Sequence, residues 1–399
     1  MNFDGVLPVA DAALYEGYAL YPYRASSPKN RVRFPFGCVY PRAYAAAQSG
    51  SDRSELFAEC LVRCEARCTL GARIRFLQLV ERTFEGSSAA SARDGGAWQE
   101  AEERNVELEL DLAQDLRSSF GAPADRRVEL LSEGVSETQR IVRLTRALSG
   151  ELATRIVPLA PGLVKVRVTV SNLSDAPELE RAAALAETLL STQVLLGVRG
   201  GSFVSLLEPP AELAGLASGC EHAGLFPVLV GAPGSCDRLL LSPIVFYDYP
   251  ALSPESRGDL FDLTEIDEIL SLRIQTLGEG EKREVRATDP RLAALLDRTE
   301  ALAPAELAAL HGARRGRPEF AAGTRVRLKP NRRADIFDLA LRDRVATVRA
   351  VERDFEGRTY LSVTVDDDPG ADLGTSGMPG HRFFFMLDEV ELVAESEEA

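Results

Sequence analysis

Three cysteines at a four-residue spacing are the first residues in the sequence whose type could do chemistry. On a helix, Cys60, Cys64 and Cys68 would lie on one face, where three thiolates could bind a metal ion or a cluster. The surrounding residues indicate strand, turn and strand instead, and on a strand the same spacing holds the thiols too far apart to share one ion. The spacing of a zinc site is also missing. The pattern therefore favours structural cysteines, with metal binding as an open alternative.

The acidic run at Asp366, Asp367 and Asp368 follows a predicted strand and is a second candidate. Clustered carboxylates of this kind can hold a divalent cation. Because consecutive residues of an extended chain point to opposite faces, only Asp366 and Asp368 converge, and His381 could approach them as a third ligand. These three residues would form the shallow site of a metal-dependent enzyme. A solvated turn at the rim of a small barrel is the favoured interpretation.

Residues for other catalytic sites are scarce. Histidine occurs only at His222, His311 and His381, and none lies in a recognised motif. The sequence contains no nucleophile elbow, no His-Glu-x-x-His helix and no phosphate loop that ends in Gly-Lys-Ser or Gly-Lys-Thr. We therefore expect a non-catalytic protein that holds no cofactor and acts by binding another molecule.

Two groups of aromatic and charged residues suit a protein interface, because Tyr and Arg are enriched at such surfaces. Packing of the first strands against the rest of the fold explains the N-terminal group equally well. The second group belongs to a long loop around residues 247–262. The candidate protein-binding residues are Tyr15, Tyr18, Tyr21, Tyr23 and Arg24 in the first group, and Tyr247, Asp248, Tyr249 and Asp259 in the second.

A local basic cluster suggests a different kind of partner. It lies near the start of the C-terminal segment, where a small barrel could use it to touch RNA. The aromatic residues of a stacking platform are lacking there until Phe337, so a solvated linker and barrel face is favoured. An RNA-binding regulatory barrel remains an alternative function. The basic residues are Arg314, Arg315, Arg317, Arg325, Arg327, Lys329, Arg332 and Arg333.

Composition sets broad limits on the class of protein. The hydrophobic fraction of 45% and the charged fraction of 27% are typical of a folded protein. The net charge of −15 argues against a general nucleic-acid binder, which needs excess Lys and Arg. No apolar run approaches the roughly 20 residues of a membrane span, and the N-terminus has no secretory signal. We expect a soluble protein of the cytoplasm.

Patterns of apolar residues predict an α+β protein, and the length of 399 residues suggests several domains. Residues 1–175 should form a β-rich, sandwich-like domain. Residues 176–315 should form a mixed α/β domain that ends in helices. Five short strands within residues 319–394 suit a small SH3-like β-barrel.

Shorter patterns place individual elements inside these parts. In the first part, Gly71 predicts a turn, and the alternation over Leu163–Val170 predicts a half-buried strand. In the second part, Glu178–Leu190 has the composition of a helix and Gly201–Leu207 that of a strand. Further helices are predicted at about residues 262–278, 281–298 and 304–311.

Several longer stretches have distinctive sequences. They are Tyr15–Asn30, Phe203–Pro210, Pro227–Gly231, Ser242–Pro250, Pro254–Ser256, Gly258–Asp262, Thr264–Glu268, Asp366–Pro369 and Asp388–Glu391. These stretches span most of the chain and resemble an uncharacterised bacterial family encoded beside NiFe-hydrogenase genes. The resemblance implies an accessory role in hydrogenase maturation, assembly or regulation, with a hydrogenase subunit or a maturation protein as partner. It implies no catalytic residues.

Overall fold

Strands and short helices make up the described part of the chain in this computed structural model. The structure describes residues 1–31, 33–48, 50–85, 98–131, 139–175, 180–253, 256, 258–262, 267–303, 306–307, 310, 320, 323–330, 341–353, 359–367 and 382–393. The strands are β1 (Glu55–Glu85), β2 (Trp98–Asp111), β3 (Leu116–Ala122), β4 (Asp125–Leu131), β5 (Gln139–Thr145), β6 (Leu148–Ala160), β7 (Leu163–Asn172), β8 (Leu190–Val204), β9 (His222–Ala223), β10 (Phe226–Leu229), β11 (Arg238–Ser242), β12 (Arg325–Leu328), β13 (Val345–Arg353), β14 (Thr359–Val365), β15 (Phe383–Met386) and β16 (Val390–Leu392).

The helices are short. They are α1 (Leu7–Leu14), α2 (Arg42–Ala47), α3 (Arg181–Leu185), α4 (Ala214–Ser218), α5 (Asp267–Gln275), α6 (Glu279–Thr288) and α7 (Pro290–Glu300). Short 3-10 helices lie at Asp4–Val6, Pro28–Arg31, Ala211–Leu213 and Leu387–Glu389. Within the described ranges, no helix is long and apolar enough to cross a membrane.

Backbone contacts divide the chain into two compact units, residues 1–311 and residues 312–399. The first unit is built on one large sheet whose main strand order is β10-β11-β8-β1-β7-β6-β3. Strands β2, β5 and β9 also pair with β1, and β4 pairs with β5. The predicted boundary near residue 175 falls inside this unit, because strands from both sides of it pair with β1. The strand-rich, mixed character of the fold agrees with the predicted α+β class.

Strand β1 organises the large sheet because it has partners along both edges. It is 31 residues long. One edge pairs with β7 and then β2, and the other edge pairs with β8 and then β5. The even-numbered residues from Leu56 to Val62 and from Leu70 to Phe76 are buried in one interior core, together with alternate residues of β7, β8 and β11. The sheet is curled, so that one face packs against itself.

The predicted turn at Gly71 is wrong, because this residue lies in the middle of β1. Its backbone pairs with β2 on one edge and with β8 on the other. The chain departs from regular pairing just before it, between Cys64 and Thr69. A Cβ atom at position 71 would lie 3.2 Å from the Met1 side chain. Gly71 therefore marks a close approach to the sheet rather than a turn.

The predicted helix over 178–190 is much shorter than expected. Its described part is α3, and the chain leaves the helix because Leu189 and Val39 exchange backbone hydrogen bonds of 2.9 and 3.1 Å. Strand β8 then begins at Leu190 and ends at Val204, so the strand predicted at 201–207 is only its last part. The two helices predicted at 262–278 and 281–298 correspond to α5, α6 and α7. The one predicted at 304–311 lies largely outside the described residues.

A buried polar network ties the N-terminal segment to the helices. The Tyr18 hydroxyl donates to Oδ2 of Asp289 at 2.6 Å. Oδ1 of Asp289 accepts from the backbone N–H of Arg291 at 2.7 Å, which caps α7. The Arg33 guanidinium stacks 3.6 Å from the centre of the Trp98 ring and donates to the backbone oxygen of Tyr18 at 2.9 Å. Together these contacts hold the N-terminal aromatic residues against α7 and β2.

The second unit contains a single antiparallel sheet of five strands in the described residues, in the order β15-β14-β13-β12-β16. Its strands lie where the sequence predicts them. Alternation places Val326, Val348, Leu361, Val363 and Phe385 in one small core. The unit thus has a core of its own, separate from that of the large sheet.

Replacing Tyr18 by Phe should lower the free energy of unfolding by about 1.5–3 kcal/mol, because a buried hydrogen bond to a charged group is lost. Tyr21→Phe is the matched control, since the Tyr21 hydroxyl is exposed and 3.4 Å from its acceptor. Urea unfolding followed by fluorescence can measure both variants, because Trp98 is the single tryptophan and packs in the same cluster. Equal losses in the two variants would contradict a structural role for the Tyr18 hydroxyl.

Candidate functional site

A groove opens beside the ends of β8 and β10 in the first unit. Its cavity has a volume of about 390 Å³. Three of its lining residues, Phe203, Val204 and Leu229, are buried apolar residues. The other lining residues are Arg63, Ser202, Ser205, Leu207, Glu208, Pro210, Cys236, Tyr247, Asp248 and Tyr249. An apolar base with a few polar groups is the usual composition of a binding site.

Asp248 joins the two sides of the groove. Its Oδ2 accepts from the Ser205 hydroxyl at 2.5 Å, and its Oδ1 accepts from the backbone N–H of Leu229 at 2.8 Å. The backbone N–H of Tyr249 also donates to the Leu229 oxygen at 2.7 Å. Both carboxylate oxygens therefore have partners, and the segment 247–249 is fixed beside the end of β10.

Ser205 shapes the opposite side. Its hydroxyl oxygen accepts from the backbone N–H groups of Leu207 at 3.2 Å and Glu208 at 2.8 Å. With the bond that it donates to Asp248, the hydroxyl uses its one donor and both of its acceptor positions. The chain turns here after β8, and two prolines follow that cannot continue a strand ladder. The rim is therefore set by local hydrogen bonds rather than by sheet pairing.

Tyr247 stands at the rim with almost no cover from the protein. It is 88% exposed, and Val245 two residues earlier is 68% exposed. The hydrogen bonds of Asp248 turn its side chain toward the groove, whereas the Tyr247 side chain faces outward. Leu207 adds a third exposed apolar side chain on the other side. Apolar groups this exposed around a groove are typical of an interaction site.

Tyr249 lines the groove with a neutral hydroxyl. Its φ of 58° lies in the left-handed region, which is uncommon for a bulky residue. Burial raises the pKa of Tyr249, as does the Cys236 thiol whose sulfur lies 3.9 Å from the hydroxyl oxygen. The phenol therefore stays protonated at neutral pH and offers a hydrogen bond rather than a charge. Strained backbone at such a place is a feature of binding sites.

The structure separates the two predicted groups of protein-binding residues. Tyr247, Asp248 and Tyr249 lie at the groove, whereas the N-terminal group packs against the helices. Tyr18 and Tyr23 are completely buried, so this conformation presents no face of them to a partner. Packing is thus the role that the structure shows for these two rings.

The remaining members of these groups also have internal contacts. The Tyr21 ring lies edge-on to that of Tyr23. Arg24 forms an ion pair of 3.1 Å with Glu281 of α6. Tyr15 packs against the same cluster. Asp259 uses its backbone oxygen to accept from Arg298 at 2.9 Å, and burial raises the pKa of its carboxyl group. None of these contacts points to a ligand.

The predicted carboxylate site is described only in part. Asp366 forms an ion pair of 3.0 Å with Arg325 and accepts from the Thr347 hydroxyl at 2.6 Å. Asp368 and His381 lie outside the described residues. In the part of the chain that the structure describes, no three His, Cys, Asp or Glu side chains are grouped so that they could hold a metal ion.

The three cysteines do not behave as a regular strand would place them. Cys60 is buried in the interior core, with burial raising the pKa of its thiol. The pairing of β1 with β8 is irregular between Cys64 and Thr69, and the thiols of Cys64 and Cys68 interact there. Burial and the hydrogen bond to Cys64 raise the pKa of Cys68 to about 12. The Cys68 thiol is therefore not activated as a nucleophile.

The described members of the basic cluster lie next to acidic residues. Arg325 pairs with Asp366, and Lys329 pairs with Asp343 at 2.5 Å. Arg327 donates to the backbone oxygen of Asp343 at 3.2 Å. These contacts reduce the positive field that an RNA-binding surface would need. Arg314, Arg315, Arg317, Arg332 and Arg333 lie outside the described residues.

Replacing Asp248 by Ala should loosen the groove, because the buried N–H of Leu229 loses its acceptor at a cost of about 1–3 kcal/mol. Hydrogen exchange should show a faster-exchanging Leu229 amide, and urea unfolding should show the lower stability. Tyr247→Ala is the control, since this exposed side chain should change stability by no more than about 0.5 kcal/mol. An unchanged Leu229 amide in the Asp248 variant would show that the carboxylate does not hold the groove.

The sequence does not predict that Ser205 and Asp248 meet in one site. Ser205 and Asp248 are 43 positions apart in the sequence, and neither belongs to a motif that predicts their hydrogen bond. The only signal was that Phe203–Pro210, Pro227–Gly231 and Ser242–Pro250 are all among the stretches on which the family resemblance depends. In comparisons with known proteins, no family model matches the chain and no curated protein matches it.

Proposed function

We propose that this chain is a non-catalytic accessory or assembly protein that binds a partner protein at the groove beside Tyr247. The partner would be a hydrogenase subunit or a maturation protein of a NiFe-hydrogenase system. The observation that carries the proposal is the nearly complete exposure of Tyr247 above a groove that internal hydrogen bonds hold in shape.

The geometry of the groove favours a protein segment as its occupant. Tyr is among the residues that contribute most to protein interfaces, because it combines a large apolar ring with a hydroxyl. Leu207 and Tyr247 flank an apolar base at Phe203, and Tyr249 supplies a neutral hydroxyl. An extended segment with one apolar side chain and free backbone groups would satisfy this combination.

Two further considerations support the choice of partner. Three of the stretches that resemble the hydrogenase-linked family meet at this groove, although they are distant in sequence. The net charge of −15 would speed the encounter with a positively charged partner surface. We also propose that the protein acts in the cytoplasm, where its six free cysteines would stay reduced. The strand order of the second unit leads us to propose an SH3-like barrel for it.

Affinity purification of the tagged full chain from its native host, without oxygen, should recover a hydrogenase subunit or maturation protein. The Tyr247→Ala variant should recover about tenfold less of it, because an interface Tyr is often worth more than 1.4 kcal/mol. The Val245→Ser variant should also recover less, because it removes an exposed apolar side chain beside Tyr247. Phe384→Ala and Val351→Ser are matched controls, since both side chains are exposed in the second unit. Quantitative mass spectrometry measures the recovery.

Three outcomes would count against the proposal. The first is the recovery of no hydrogenase or maturation protein together with unchanged hydrogenase activity in a deletion strain. The second is equal recovery by the groove variants and the controls, which would leave the groove without a role. The third is the loss of all captured partners after nuclease treatment, which would favour an RNA-binding protein instead.

A further inference from the structure

Strand β4 is an exposed edge of the large sheet. In the described ranges it pairs with β5 alone. Every side chain from Asp125 to Leu130 is exposed, including Val128 at 42% and Leu130 at 62%. A row of free backbone N–H and C=O groups on such a strand is a template for another strand. The outer edge of β4 could therefore pair with a strand of another molecule, which would cover Val128 and Leu130.

The charges on β4 do not prevent it from pairing with a second copy of itself. Edge strands are commonly protected by charges that repel a second copy. Here Asp125 and Glu129 balance Arg126 and Arg127, so the strand has no net charge. Two copies of it would not repel one another.

The odd-numbered face of β4 is the open end of a row of alternating charges. Glu100 of β2 pairs with Arg143 of β5 at 2.7 Å, and Arg143 pairs with Glu129 of β4 at 2.7 Å. Arg127 on the same face pairs with Glu102 of β2. Arg143 and Glu129 lie on the neighbouring strands β5 and β4, where opposite charges stabilise the pairing. A further strand would continue the row if it placed a positive charge beside Glu129 and a negative charge beside Arg127.

We propose that β4 pairs antiparallel with β4 of a second copy of this chain, about a two-fold axis at Val128. This register places Arg127 of each copy opposite Glu129 of the other, twice over. Val128 meets its own counterpart, and Leu130 lies beside the aliphatic part of Arg126. A two-fold interface requires a self-complementary patch, and β4 has one.

The interface is small, so the dimer forms at high protein concentration and dissociates on dilution. Seven residues of extended chain span about 23 Å at roughly 3.3 Å per residue. An edge of this length buries less area than the roughly 1,200–2,000 Å² of a stable complex. Backbone hydrogen bonds supply the attraction, and the charge pairs fix the register.

A charge-swap experiment on the full chain tests the register. R127E and E129R each place like charges opposite one another twice in a homodimer, so each variant alone should stay monomeric in analytical ultracentrifugation. An equimolar mixture of the two should dimerise again, because each copy then offers the complement of the other. R117E is the control: it makes the same change on β3, another strand at the end of the sheet order, and should dimerise like the wild type.

Hydrogen exchange on the wild-type chain gives a second readout that needs no substitution. Every other amide of β4 should exchange at least tenfold more slowly at high than at low protein concentration, while the amides of β3 should not change. A wild type that stays monomeric at all concentrations overturns the proposal. So does a dimer that survives in R127E, or a dimer that is lost in R117E.

Discussion

Pairing along both edges of β1 is the constraint on which the first unit depends. A strand of 31 residues is far longer than the usual 3–10, and it stays extended because four neighbours satisfy its backbone groups in turn. Its even-numbered residues must then all face one core, which brings β7, β8 and β11 around that core. A polar substitution at any of these positions would bury a polar group without a hydrogen-bond partner in this core and so lower the stability of the fold.

The groove follows from where this pairing stops. Strand β8 leaves β1 at Val204, and β10 ends at Leu229. The polypeptide therefore turns twice at the same end of the sheet, once after each strand. Backbone groups at these turns lack strand partners, and Ser205 and Asp248 replace them. The side chains that meet the core become the base of the groove, and those on the other side become its exposed rim. A binding surface thus arises at the place where sheet hydrogen bonding gives way to side-chain hydrogen bonding.

Local patterns predicted the elements whose hydrogen bonds and burial are also local. Alternation identified β7 and the strands of the second unit, since each has one wet face and one buried face. The same reasoning failed at Gly71, because a glycine inside a strand and a glycine in a turn look alike without knowledge of what packs there. For the site, Tyr247 and Tyr249 stood out by residue type. Ser205 did not, because its role depends on a contact formed only when distant strands are aligned.

The groove and the edge of β4 lie toward opposite ends of β1. Arg63 lines the groove, and β5, which carries β4, begins to pair near Glu81. About 18 residues separate these points, or at most about 60 Å of extended strand at roughly 3.3 Å per residue, which curling shortens. Among the described residues, none that lines the groove belongs to β4 or β5, so pairing at β4 uses none of the groove's residues. A dimer would carry two grooves, and a partner with two suitable segments would bind it more tightly than one groove alone, with no new contact.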